Sequence, residues 1–194
     1  MKHSAIFTLL FFAMTQFTVA QDSNDYYYEI PDFPEAYTPH TVAARMVDGF
    51  GFRYYWATKD LREQDMSYKP SEDSRTIRQT LEHIYGLSRT VMTAPLSKVN
   101  TYPKEELSFA ELRQRTLDNI EQASKVLKEA NTTMDEYKMI FQRGEDTIEH
   151  PFWNVLNGPL ADAIYHTGQV VAYRRASGNP IPKGVRMLTG KKTE

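Results

Sequence analysis

Apolar residues recur at intervals of three and four in four separate stretches of the chain, the spacing of amphipathic helices. The first begins at Thr38-Pro39 and runs to about Lys59, with Val42, Ala43, Met46, Val47, Phe50 and Tyr54 on one face. Gly49 and Gly51 lie inside it, each costing about 1 kcal/mol relative to Ala, so they mark either close approach of a neighbour or a kink. The second stretch spans about Arg75 to Ala94 and stops before Pro95. Its inward arc is Ile77, Thr80, Ile84, Leu87, Val91 and Ala94, with His83 on the edge of that arc and Arg78, Glu82 and Arg89 facing away. The third opens at Ser108-Phe109-Ala110-Glu111, a capping-box pattern, and continues to about Ala130 with Phe109, Leu112, Thr116, Ile120, Ala123 and Leu127 inward.

The last helix lies between two turn signals, Asn157-Gly158-Pro159 and Ser177-Gly178-Asn179-Pro180. At about 100° per residue, Asp162, His166, Gln169 and Tyr173 form a narrow polar track, with Leu160, Ile164, Thr167 and Val171 opposite. Ala163, Gly168, Ala172 and Ala176 fill much of the remaining circumference, and charge is confined to Arg174 and Arg175. A helix so poor in solvating residues is expected to be packed on most sides.

The connections are long. Residues 21–37, with two prolines and a tyrosine cluster, read as an extended leader on the domain surface. Residues 61–74 are a polar connection, and 97–107 a loop broken at Tyr102-Pro103. Between 131 and 152 the pattern is weakest: Tyr137 to Phe141 fits a short strand or a helical turn, and Gly144 marks a surface excursion. Either Pro151 opens the last helix early and Pro159 kinks it, or the helix begins at Pro159 itself. The expected fold class is all-α, a four-helix bundle over residues 38–182 with a tail at 183–194. Connections exceeding the usual bundle lengths imply at least one crossover.

The N-terminus changes the compartment. Residues 1–20, MKHSAIFTLLFFAMTQFTVA, combine Lys2, an apolar run from Ala5 to Phe17 and small residues before Gln21, which predicts a signal peptide cleaved after Ala20. The run is too short and interrupted for a convincing membrane span, so the expectation is a periplasmic or secreted protein with no membrane association after cleavage. The 194-residue chain has no cysteine, which excludes disulfides, a lipobox and thiol nucleophiles and leaves His, Asp and Glu as metal ligands. The net charge of −2, with Lys and Arg scattered among acids, argues against a nucleic-acid partner. Trp56, beside Tyr54 and Tyr55, fits packing beneath a loop better than the mouth of a pocket.

His83 and His166 are candidates to face each other in the interior, and Asp162 lies one turn, about 6 Å, before His166. Two imidazoles and a carboxylate would hold a metal with positions left open, as catalytic sites do. Gln169 and Tyr173 would continue the track as contacts to a ligand or substrate. The other reading is structural: His83 and His166 as satisfied core histidines, Asp162 as a first-turn acid favoured by the helix dipole. His40 and His150 read as loop or surface residues. Glu82 points about 100° away from His83 and is no acid–base partner for it.

Two stretches, KPSEDSRTIRQTLEHI leading to His83 and AIYHTGQVVAYRRASGNPIP with its His-x-Gly-Gln and Gly-x-Pro, resemble the DinB/YfiT-like family of four-helix bundles. The resemblance implies a metal held by one histidine of the second helix and two, one turn apart, of the last. His83 and His166 match the outer positions, whereas Asp162 stands where the family pattern has histidine. Carboxylate can replace imidazole as a ligand for zinc, nickel, manganese or iron. The implied activity is metal-dependent hydrolysis, or transfer involving a small thiol, on an unidentified small molecule. A non-catalytic bundle that binds a small molecule or partner without metal is the alternative, and homodimerisation through an exposed face is compatible with either.

Overall fold

The computed structural model describes residues 25–101 and 105–194. The expected signal peptide and the Tyr102-Pro103 breaker lie outside those residues. Three long helices start on reciprocal caps. In α1 (Pro39–Thr58), Thr38 Oγ accepts from the Thr41 N–H at 3.1 Å, and the Thr38 N–H donates back to the Thr41 hydroxyl at 2.8 Å. Thr76 and Gln79 do the same for α2 (Ile77–Thr93), and Ser108 and Glu111 for α3 (Phe109–Lys128). Each box satisfies N–H groups that a helix start otherwise leaves open.

The last long helix, α5 (Ala161–Ala176), has no side-chain cap because it is entered from another helix. A single turn, α4 (Trp153–Val155), leads into a π-helical segment over Leu156–Leu160, where Gly158 sits at φ −98°, ψ −105° and Pro159 follows. Of the two expected starts, the early one with a kink is found. Pro159 has no N–H to donate, so the intrahelical bonding is interrupted there.

Helices α1 and α2 each pack against both α3 and α5. Between them Phe50, Tyr54, Ile77, Leu81, Ile84, Leu112, Leu117 and Ile120 are fully buried. Most inward positions expected from periodicity are confirmed, but Val42 and Met46 in the first two turns of α1 are half exposed.

The all-α, four-helix-bundle expectation is overturned: about 52% of the protein is helix and 11% strand, in two sheets. Strands β2 (Lys138–Arg143) and β3 (Asp146–Pro151) form an antiparallel hairpin, and β1 (Val99–Asn100) adds to β2 in parallel, giving the order β1-β2-β3. The hairpin turns through Gly144-Glu145, with Gly144 at φ +63° in the first loop position, where a tight hairpin favours glycine. Met139 is buried on this hairpin while Phe141 pairs with Ile148, so the stretch that fitted strand or helical turn resolves as strand because the neighbouring chain supplies a pairing edge. A second ribbon, β4 (Val185–Arg186) with β5 (Lys191–Lys192), replaces the expected plain tail.

The leader does not simply lie on the surface. Tyr27 is fully buried, donates to Asp48 Oδ1 at 3.2 Å and lies against Gly51, where a β-carbon would stand 2.5 Å from its ring. Gly51 is therefore a close-approach glycine rather than a kink. The Ile30 N–H donates to the Gly190 carbonyl at 2.8 Å, and Lys191 pairs with Glu29 at 2.6 Å, so the ribbon clasps the leader.

Helix α5 is not packed on most sides. Ala163, His166, Thr167, Val170 and Arg174 are buried, while Ala161, Tyr165, Gly168, Ala172 and Ala176 face solvent. Small side chains carry little apolar area, so their exposure is a weak penalty and places no demand for cover.

Candidate metal centre

Helix α2 carries His83 toward α5, which returns Asp162 and His166 from successive turns. Asp162 divides its carboxylate between the two rings: Oδ2 lies 3.2 Å from His83 Nε2 and Oδ1 lies 3.3 Å from His166 Nε2. The imidazoles meet edge to face, with centroids 4.7 Å apart. One ligand atom from each residue lies within 4.8 Å of the others, and among the described residues this is the grouping of three or more His, Asp or Glu able to hold a metal ion. The His166 side chain is 11% exposed, against 33% for His83 and 43% for Asp162, so the group has a protein-facing floor and an open side.

Gln169 sets the orientation. Its Oε1 accepts from His166 Nδ1 at 2.7 Å, one turn along the helix. With Nδ1 as donor, the neutral ring turns a lone pair toward Asp162 Oδ1. Two acceptors then face each other at 3.3 Å, an arrangement relieved by a proton on the ring or by a cation between them. The donor set of two nitrogens and a carboxylate fits a divalent transition metal in the same way.

The rest of the polar track is only partly in the group. Tyr173 packs on Tyr68, from the connection before α2, with ring centroids 6.1 Å apart. Tyr165, which periodicity did not single out, stands exposed with its ring 5.3 Å from that of His166 and forms part of the rim. His40 packs against Tyr137 and His150 against Phe141 in the hairpin, away from the cluster's membership. Glu82 pairs with Arg78 at 2.7 Å rather than with His83. Trp56 is buried and donates from Nε1 to the Tyr28 carbonyl at 3.1 Å, which is the packing role.

What holds α5 in register lies two turns beyond His166. Arg174 is 1% exposed and donates from Nη1 to the carbonyls of Trp56, Ala57 and Lys59 at 3.2, 3.1 and 2.8 Å, across the C-terminus of α1. Its Nε and Nη2 reach the Asn179 carbonyl and side-chain oxygen, and Asn179 Nδ2 donates on to Asp65 Oδ2 at 2.7 Å. Desolvation pushes the guanidinium's pKa down, while Asp60 and Asp65 oppose that shift. Spacing had marked Arg174 only as a terminal charge; its partners come from a distant part of the chain.

Comparison of the chain with protein-family models, with curated proteins and with solved structures found no match in any of the three.

Proposed function

We propose that the protein is an exported, metal-dependent hydrolase or transferase of a small molecule, with a divalent transition metal held by His83, Asp162 and His166. The observation that carries this reading is the convergence of both Nε2 atoms on one carboxylate while Gln169 holds the Nδ1 side of His166. The positions matched in the DinB/YfiT-like resemblance, His83 and His166, are the two imidazoles of this group, and export rests on the pattern of residues 1–20.

When bound, a divalent ion supplies Lewis acidity toward a carbonyl or phosphoryl oxygen and lowers the pKa of water. The protein's own side chains do the positioning. Gln169 keeps the His166 ring from turning, Asp162 contributes charge that offsets the cation, and the open side beside Tyr165 leaves room for a small substrate.

Metal content tests the proposal. Protein produced with transition metals in the medium and purified without chelator is expected to contain about one metal per chain by elemental analysis, and His166→Ala is expected to lose it. Adding zinc to stripped protein at a hundred times its Kd should stabilise the fold by about 2.7 kcal/mol, raising Tm by roughly 5–10 °C. Absence of stoichiometric metal together with an unchanged Tm on zinc addition would sink the reading.

A further inference from the structure

A second site lies on the other end of the kinked helix. A cleft of about 960 Å³ is walled by Val42 and Met46 of α1, by Met134, and by Phe152, Trp153 and Leu156 at the entry to the last helix. None of its lining residues belongs to the His83, Asp162 and His166 group. The half-exposed Val42 and Met46, which amphipathic spacing assigns to the core, face this space, as does Trp153, 74% exposed. Apolar groups kept open to solvent around a concavity of this size are the ordinary makeup of a small-molecule pocket.

Two observations narrow the occupant. The charged side chains in the lining are Lys138 and Asp135, opposite in sign, and together they give the cleft no net preference for an ion. Two methionines among the walls suit a ligand of variable shape.

We infer that this cleft binds an uncharged, largely apolar small molecule. The site is distinct from the metal centre and does not depend on it.

The probe is N-phenyl-1-naphthylamine, an uncharged aromatic with a single N–H. Trp153 lines the cleft, so energy transfer from its indole to the dye reports on occupancy. Saturable binding of one dye per chain is expected, with micromolar Kd and quenching of tryptophan emission. Val42→Arg at the rim and Met46→Arg in the wall, both at half-exposed positions, are each expected to weaken binding tenfold or more while leaving the circular dichroism spectrum unchanged. The sulfonated analogue 8-anilinonaphthalene-1-sulfonate should bind at least tenfold more weakly. Non-saturable dye uptake, affinity unmoved by both wall variants, or equal affinity for the sulfonated dye would each overturn the inference.

Discussion

Replacing Arg174 by methionine removes the guanidinium that ties α5 to the end of α1 while keeping much of the side-chain stem. Five hydrogen bonds disappear: three to the carbonyls of Trp56, Ala57 and Lys59 and two to Asn179. Carbonyls in the last turn of a helix have no partner within it, so these acceptors depend on Arg174 or on water that a residue 1% exposed does not admit. Hydrogen bonds to a charged group are worth about 1.5–3 kcal/mol each, but the guanidinium's own desolvation offsets much of that sum. Loss of one partner from a buried charged network of this kind comes to roughly 3–5 kcal/mol. For a domain of this length that lowers Tm by roughly 10 °C. The assay is thermal unfolding of metal-free protein at pH 7, followed by circular dichroism. Arg174→Lys should recover part of the loss, because an ammonium can reach one carbonyl but cannot span to Asn179. A Tm for Arg174→Met within about 2 °C of the parent, outside the range of the working above, would show that the network does not hold the helix.

Further expectations concern the chain's other anchors. Arg62, through its side chain and backbone N–H, and Asn179 hold the Asp65 carboxyl down to about 2, below the usual carboxylate range. A folded pKa below the unfolded one gives stability that is complete above the unfolded pKa and is lost as pH falls from about 4 toward 2. Because Arg62 is exposed and screened, the contribution is taken as about 1 kcal/mol; urea unfolding at pH 6 and pH 2.5 should show a smaller loss for Asp65→Asn than for the parent, and identical losses would refute it. Gly51→Ala places a β-carbon 2.5 Å from the Tyr27 ring and should destabilise by about 1–3 kcal/mol while exposing residues 25–37 to limited proteolysis. Gly49→Ala meets only the tip of Arg53 at 3.2 Å and should be neutral or stabilising; equal effects at both glycines would contradict the close-approach argument. Gln169→Leu should weaken metal binding about 10–100-fold in competition with a chromophoric chelator, and an unchanged affinity would remove its orienting role.

The parts legible in the sequence are those whose causes are local. Capping residues and three-to-four spacing place the helices within a few residues, and His83, Asp162 and His166 fall together because a helical turn brings the latter two into line. Strand β2 carries apolar groups on both faces and so no decisive period, β3 lies in the stretch that reads as a surface excursion, and β1 is two residues whose identity as strand exists only through pairing with Ile140 and Phe141. Tyr27 could not be told from its neighbours Tyr26 and Tyr28, since its burial depends on the absent side chain at Gly51 in another element. Arg174 was hidden for the same reason: the carbonyls that justify burying it lie more than a hundred residues earlier. The exposed small residues of α5 show the converse, since their lack of charge reflects lack of bulk and not packing.

The clasp between the β4–β5 ribbon and the leader has a consequence for the order of folding. During synthesis the residues around Ile30 emerge before the four long helices, yet Gly190, which covers Ile30 and accepts its N–H, emerges after all four are complete. The leader thus stays without its final cover until all four long helices have been made, and the seal on it is a contact of long sequence separation, closed after them.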